Sequence, residues 1–297
     1  MNLSIKEKGN IMKRAITILM AAIMMVGCTN IAKTGIASKE KISNKQKVVE
    51  LLKSIETGVG EPVAYINPKK YIQHNQAVGD GLAGFGALLQ QLPKGSAKVN
   101  TMRVFGDGDY VVAHTDYNFF GPKIGIDIFR FEDGLIVEHW DNLQEKVTKT
   151  ASGRSQVDGP AVVKDTDKTA VNKTLIKNML KDIFMGANPG KITDYISIEK
   201  YHQHNPAVKD GLKGLGEALT TLAEAGMPMV YEKNHIVLGE GDFVLSVSEG
   251  VFLKEKVAFY DIFRIENGKV VEHWDTIEKI LPNSQAKNTN GKFNFAG

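Results

Sequence analysis

Apolar residues recur at helical spacing twice in the chain, as Val48, Leu51, Leu52 and Ile55 and as Val171, Leu175, Met179 and Ile183. Each stripe predicts an amphipathic helix with one buried face. Behind the first stripe come a short strand, Tyr71–His74, and a helix over Gly81–Gln91 with Asp80 placed to cap it. Four strands follow, over Lys98–Phe105, Tyr110–Phe119, Ile124–Phe131 and Leu135–Leu143, with turn residues at Gly106–Asp109 and Glu132–Gly134. Helices first and an antiparallel meander after them make an α+β layout, with the helices on one face of the sheet.

The pattern then repeats. Tyr71–Leu89 and Tyr201–Leu219 agree at twelve of nineteen positions, offset by 130. Asp127–Asp141 and Asp261–Asp275 agree at eleven of fifteen, offset by 134, so the second copy carries a small insertion, placed near Ala225–Met229. Self-similarity of this kind reads as two copies of one domain, residues 45–147 and 171–281. Residues 148–170, rich in Ser, Thr, Gly, Lys and Asp, read as a linker, and residues 282–297 as a loose polar tail.

The hairpin that ends each copy admits two registers. A two-residue turn at Asp133-Gly134 pairs Asp127 with Trp140 and mixes charged and apolar residues on both faces. A three-residue loop, Glu132-Asp133-Gly134, pairs Phe131 with Leu135, Phe129 with Val137 and Asp127 with His139. The second sorts the faces by burial, and we adopt it. One face is then apolar and ends in Asp127, His139 and Asp141. The other carries Ile128, Arg130, Ile136, Glu138 and Trp140, with Arg130 able to pair with Glu138. The second copy repeats the polar cluster as Asp261, His273 and Asp275. Such a cluster at the end of an apolar surface must hydrogen-bond or line a wet cavity. Burial there can lift a carboxyl into the range of an acid or base at neutral pH. A purely structural Asp–His hydrogen bond closing the sheet is the other reading, and both stay open.

The first residues differ from the rest. Lys13 and Arg14 precede an apolar run from Ala15 to Val26, followed by Gly27-Cys28. This is the layout of a signal peptide over residues 1–27, and the run is too short to span a bilayer as a stable helix. Residues 28–44 read as anchor and tether. Cys28 is the only cysteine, so the two domains hold neither a disulfide nor a thiol nucleophile. Of 37 basic and 34 acidic residues, four basic and one acidic fall within residues 1–27, and the remainder balance. The net charge of +3 is therefore no nucleic-acid footprint.

Met25-Val26-Gly27-Cys28 is similar to the bacterial lipoprotein cleavage box, with Met25 where Leu is usual. That resemblance implies lipidation of Cys28 and an exported protein held to the cell envelope, on its periplasmic or extracellular side. The runs QHN, DGLxG and DIFRxExGxxVEHWD resemble the SnoaL-like group of the nuclear transport factor 2-like superfamily over both copies. This second resemblance implies two tandem cone-shaped domains, each a curved antiparallel sheet wrapped by N-terminal helices around a pocket. It also implies cofactor-free acid/base chemistry on a small apolar carbonyl compound: aldol condensation, cyclisation or isomerisation. Asp141 and Asp275 would be the acid/base, with His139, Asp127, His273 and Asp261 assisting. The alternative is a non-catalytic lipoprotein that binds a small molecule. Export favours the binder, and retention of the cluster in both copies favours the enzyme.

The remaining signals are weaker. His74 and His204 are placed at the pocket mouth, with a capping or core histidine as the alternative. Asn75 and Asn205 stand beside them as further candidate pocket residues, with shaping of the turn into the next helix as the alternative. His202 and His204 form an HxH pair, but Ile72 replaces the first histidine in copy one, so no metal is expected. Gly79, Gly81 and Gly84 fit GxGxxG, yet copy two has Lys209 at the first position and no βαβ unit surrounds either copy. They read as close-packing positions. Trp140 and Trp274 fall on the outer sheet faces, where members of the family dimerise, which implies an internal pseudo-dimer open to further homo-oligomerisation.

Overall fold

A computed structural model describes residues 42–92 and 95–295. The signal segment, Cys28 and most of the tether lie outside the described residues, among which no helix is long and apolar enough to cross a membrane. The first half runs α1 (Asn44–Thr57), β1 (Ile72–Gln73), α2 (Gly81–Gln91), β2 (Lys98–Asp107), β3 (Tyr110–Asn118), β4 (Pro122–Glu132) and β5 (Leu135–Glu145). The second runs α3 (Thr169–Met179), a π-helical turn (Leu180–Phe184), α4 (Ile192–Tyr195) and β6 (His202–Gln203). It continues through α5 (Gly211–Glu224), β7 (Val230–Glu240), β8 (Phe243–Phe252), β9 (Glu255–Glu266) and β10 (Lys269–Lys279). The class is α+β.

Each half makes a five-stranded sheet, ordered β1-β5-β4-β3-β2 and β6-β10-β9-β8-β7. The sheets are not wholly antiparallel: β1 and β6 run parallel to β5 and β10, pairing Gln73 with His139 and Gln203 with His273. Asp80 stands at the N-terminus of α2, but its carboxylate accepts from the Gln73 amide at 3.0 Å and does not cap the helix. Of the glycines Gly79, Gly81 and Gly84, the close approach is that of Gly84 to Gly79, while a Cβ on Gly81 would meet nothing nearer than 3.9 Å. A Cβ on Gly84 would lie 1.8 Å from the Gly79 carbonyl oxygen, and one on Gly214 2.3 Å from that of Lys209.

The hairpin register needs correction. Glu132 pairs with Leu135 across a two-residue turn in which Asp133 and Gly134 both have positive φ, so the three-residue loop is absent. A β-bulge at Val137 then shifts the pairing by one residue. Beyond it Phe129 faces His139 and Asp127 faces Asp141. The extra residue restores the face sorting that the turn alone would have destroyed. The second half repeats the device at Val271, pairing Phe263 with His273 and Asp261 with Asp275.

The inner face of the first sheet packs against α1 and α2 through Leu51, Leu52, Phe85, Phe129 and Ile136, and that of the second packs likewise, Phe263 meeting Met179, Leu180 and Leu215 in one core. The outer faces meet each other: Phe105, Ile126, Ile128 and Trp140 share one apolar core with Phe243, Tyr260, Ile262 and Trp274. Contacts across this junction are reciprocal, as expected of a pseudo-twofold. Glu240 accepts from Lys45 at 2.7 Å and from the Gly106 amide at 2.6 Å. Asp107 accepts from Lys173 and from the Gly239 amide.

The linker and tail are not loose. Residues 150–160 lie on the second half: Ser152 donates to the Gln203 carbonyl, Ala151 to that of Pro206, and His204 Nδ1 meets the Ser155 carbonyl at 2.6 Å. Residues 282–295 cover the same points of the first half. Asn290 donates to the Gln73 carbonyl, Lys287 to that of Gln76, and His74 Nδ1 meets the Gly291 carbonyl at 2.7 Å. Each half thus ends in a strap that seats on the other half.

Candidate functional site

On the inner face, β1 and the β4–β5 pair bring Asp127, His139 and Asp141 together, and β6 with β9 and β10 bring Asp261, His273 and Asp275 together. All six are buried. His273 Nε2 lies 3.0 Å from Asp261 Oδ1, and its Nδ1 lies 3.1 Å from Gln203 Oε1. In the first half the same distances are 3.2 Å to Asp127 and 3.1 Å to Gln73. Amide donors at Asn75 and Asn205 and at the other ends of the glutamine side chains identify Oε1 as oxygen. Both imidazole nitrogens therefore face acceptors.

The electrostatics of the second half follow from this. Burial alone would lower the His273 pKa, but the hydrogen bond to Asp261 and the charges of Asp275 and Asp261 hold it above its ordinary value. Asp275 is pushed up to about 6, by burial first and by the Asp261 charge, against the lowering effect of His273 and Asn205. Asn205 Nδ2 donates to Asp275 Oδ2 at 2.6 Å, and Asn75 to Asp141 Oδ2 at 2.7 Å. The other oxygen of each aspartate, Oδ1, is buried with no hydrogen-bond partner among the described residues. Three candidate ligand atoms in each cluster lie within 4.8 Å of one another. A divalent ion could use the set only if the imidazole gave up the Nε2–H it donates to the aspartate.

Asn205 lines the cavity of the second half. The two asparagines also shape the turn, their Oδ1 atoms accepting from the Ala77 and Ala207 amides. His74 and His204 do not sit at the mouth. They project to the opposite side, stacked on Trp140 and Trp274 at 4.5 and 4.6 Å, and bond Glu138 and Glu272 at 2.8 and 2.9 Å. Those glutamates hold Arg130 and Arg264 as well. His202 approaches Asp210 instead, so it and His204 have separate partners.

Several residues of the site escaped the sequence reading. Tyr71 and Tyr201 meet the glutamine amides, and burial pushes both phenols up, so each remains a donor at neutral pH. Tyr117 on β3 donates to Asp127 at 2.8 Å, whereas Tyr231 on β7 donates to Asp261 at 3.2 Å. These two occupy different strands of their copies, so aligning the repeats could not reveal them. Tyr71 and Gln73 could have been found, because they alternate along a motif that both copies keep.

The cavity above Asp275 has a volume of about 250 Å³ and is walled by Leu215, Leu219, Leu222, Met229, Phe252 and Ile277. That above Asp141 is about 60 Å³.

The sequence matches no protein-family model and no curated relative. Among solved structures it is similar to an NTF2-like protein of unknown function from Cytophaga hutchinsonii, at 16% identity and TM-score 0.31, over 36% of this chain and 94% of that one. It is similar to a candidate polyketide cyclase from Acidithiobacillus ferrooxidans, at 16% identity and TM-score 0.29, over 36% and 87%. A candidate ketosteroid isomerase from Kribbella flavida aligns at 13% identity and TM-score 0.31, over 41% and 91%. At these values the likenesses carry no conclusion about activity, and the α+β class stands on the sheets and helices themselves.

Proposed function

We propose that the chain is a cofactor-free acid/base enzyme acting on a small apolar carbonyl compound. The observation that carries this reading is Asp275 Oδ1, buried and unpartnered at an apolar cavity of about 250 Å³. An unpartnered buried carboxylate oxygen is costly in a structural role and useful as a base. Asp275 takes the proton from the carbon beside the carbonyl, breaking that C–H bond and leaving an enolate. Tyr201, which accepts from Gln203 and has no acceptor for its own proton among the described residues, donates to the enolate oxygen. Returning the proton to another carbon is isomerisation, and attack of the enolate on a second carbonyl is aldol closure. His273 and Asp261 hold the charge balance beneath. The resemblance to the SnoaL-like group supports the same assignment. The segment up to Cys28 supports export and lipid anchoring at the cell envelope.

The test uses residues 42–297, which form one compact unit, with 2-acetonaphthone as probe ketone. Nuclear magnetic resonance follows exchange of its methyl protons in deuterated water. The wild type is expected to accelerate exchange, and Asp275→Asn to remove at least ~10²-fold of it. Saturable binding with no exchange in the wild type would replace the enzyme with the binding protein.

A further inference from the structure

The two pockets follow one plan but differ fourfold in volume, about 250 against about 60 Å³. Named residues cause the difference. The helix roofing the first pocket carries Phe85 and Leu88; at the same repeat positions the second carries the smaller Leu215 and Ala218. Leu51, Leu52 and Ile55 of α1 all line the first pocket. Their counterparts in the second half run into the π-helical turn over Leu180–Phe184, and only Phe184 reaches the cavity. Turns of this kind displace the side chains that follow them. The longer α5 adds Thr221 and Leu222 to the wall, and Met229, the residue before β7, adds a further side chain. Sixty cubic ångströms is room for about two waters, far below what even a small organic ligand needs.

From this we propose that the chain binds one ligand, in the second half, and that the first half is a closed copy serving it as a scaffold. The inference rests on the reading of that pocket as a small-carbonyl site. The scaffold role is visible at the strap. Arg103 of the first half stacks on Trp274 at 4.1 Å and donates to the strap carbonyls of Val157, Asp158 and Pro160. The strap in turn holds His204 and the Gln203 carbonyl, next to the Asn205 that fixes Asp275.

Titration of residues 42–297 with 2-acetonaphthone, followed by calorimetry and by the imidazole resonances, tests this. One equivalent is expected to bind, shifting the His273 signals and leaving those of His139 in place. The double substitution L215F/A218L should abolish binding, and the reciprocal F85L/L88A should raise the stoichiometry from one to two. Two equivalents on the wild type overturn the proposal and leave the acid/base reading of Asp275 standing, whereas shifts at His139 in place of His273 overturn both. Absence of any binding overturns both. The wild-type resonances decide the matter even if a repacked variant fails to fold.

Discussion

Asp275 has a pKa raised from 3.8 to about 6, and His273 one raised above 6.5. Used as a base, Asp275 gives a rising limb of exchange rate near pH 6, and loss of the His273 proton gives a falling limb at higher pH. The same shift bears on stability. A carboxyl whose folded pKa lies above its unfolded one favours folding while protonated and loses that contribution as pH rises from about 4 through 6. Two units correspond to roughly 3 kcal/mol at most. Asp275→Asn, whose amide oxygen can still accept from Asn205, should therefore raise the melting temperature at pH 7 and gain little at pH 4. Melting curves between pH 4 and 8 check the sign. A variant equally destabilised at both ends would return Asp275 to a structural role. This cluster was legible in the sequence because burial sorts a strand by alternation. The fourth residue that completes it, Asn205, reads in the sequence as a pocket residue or a turn former, and its bond to Asp275 was not legible because nothing in the sequence shows what its amide meets.

At the scale of elements, the bulges and the straps were the features the sequence concealed. A one-residue bulge leaves no composition signal: Val137 and Val271 look like any strand valine, yet they decide which pairs face each other. The straps are polar, lack periodicity, and bind mainly backbone carbonyls, which every residue has. They nevertheless order buried groups. Asn288 donates to the carbonyls of Asn75 and Val78, Lys292 to that of Asp141, and Phe295 stacks on Trp140 at 4.5 Å. Deleting the chain from Pro282 onward should leave His74 without its carbonyl partner and expose the edge of Trp140, costing several kcal/mol. A lower melting temperature and a red shift of tryptophan emission are expected. The red shift should vanish in the Trp140→Phe background, since Trp274 lies under the other strap.

For the whole molecule, the repeat predicted two alike halves, and the outer tryptophans predicted where they would meet. What it could not predict was that each half is finished by the other. The shared core removes Trp140, Trp274, Phe105, Phe243 and Tyr260 almost entirely from water. Burial of large side chains at ~1.5–3 kcal/mol each makes that junction comparable to a domain core. Separating residues 42–165 from 166–297 would uncover both outer faces and leave each strap without its seat. Neither piece is then expected as a stable monomer, because an apolar sheet face of this extent drives association. Coexpressed, they should recover a one-to-one complex through the reciprocal Lys45–Glu240 and Lys173–Asp107 pairs and the straps. Expressed singly, each should self-associate by offering its strap to the equivalent seat on another copy, since His74 and His204 present the same partners. Size-exclusion chromatography with light scattering distinguishes these states. A monodisperse, folded monomer of either half would show that the junction is a convenience of fusion, not a condition of the fold.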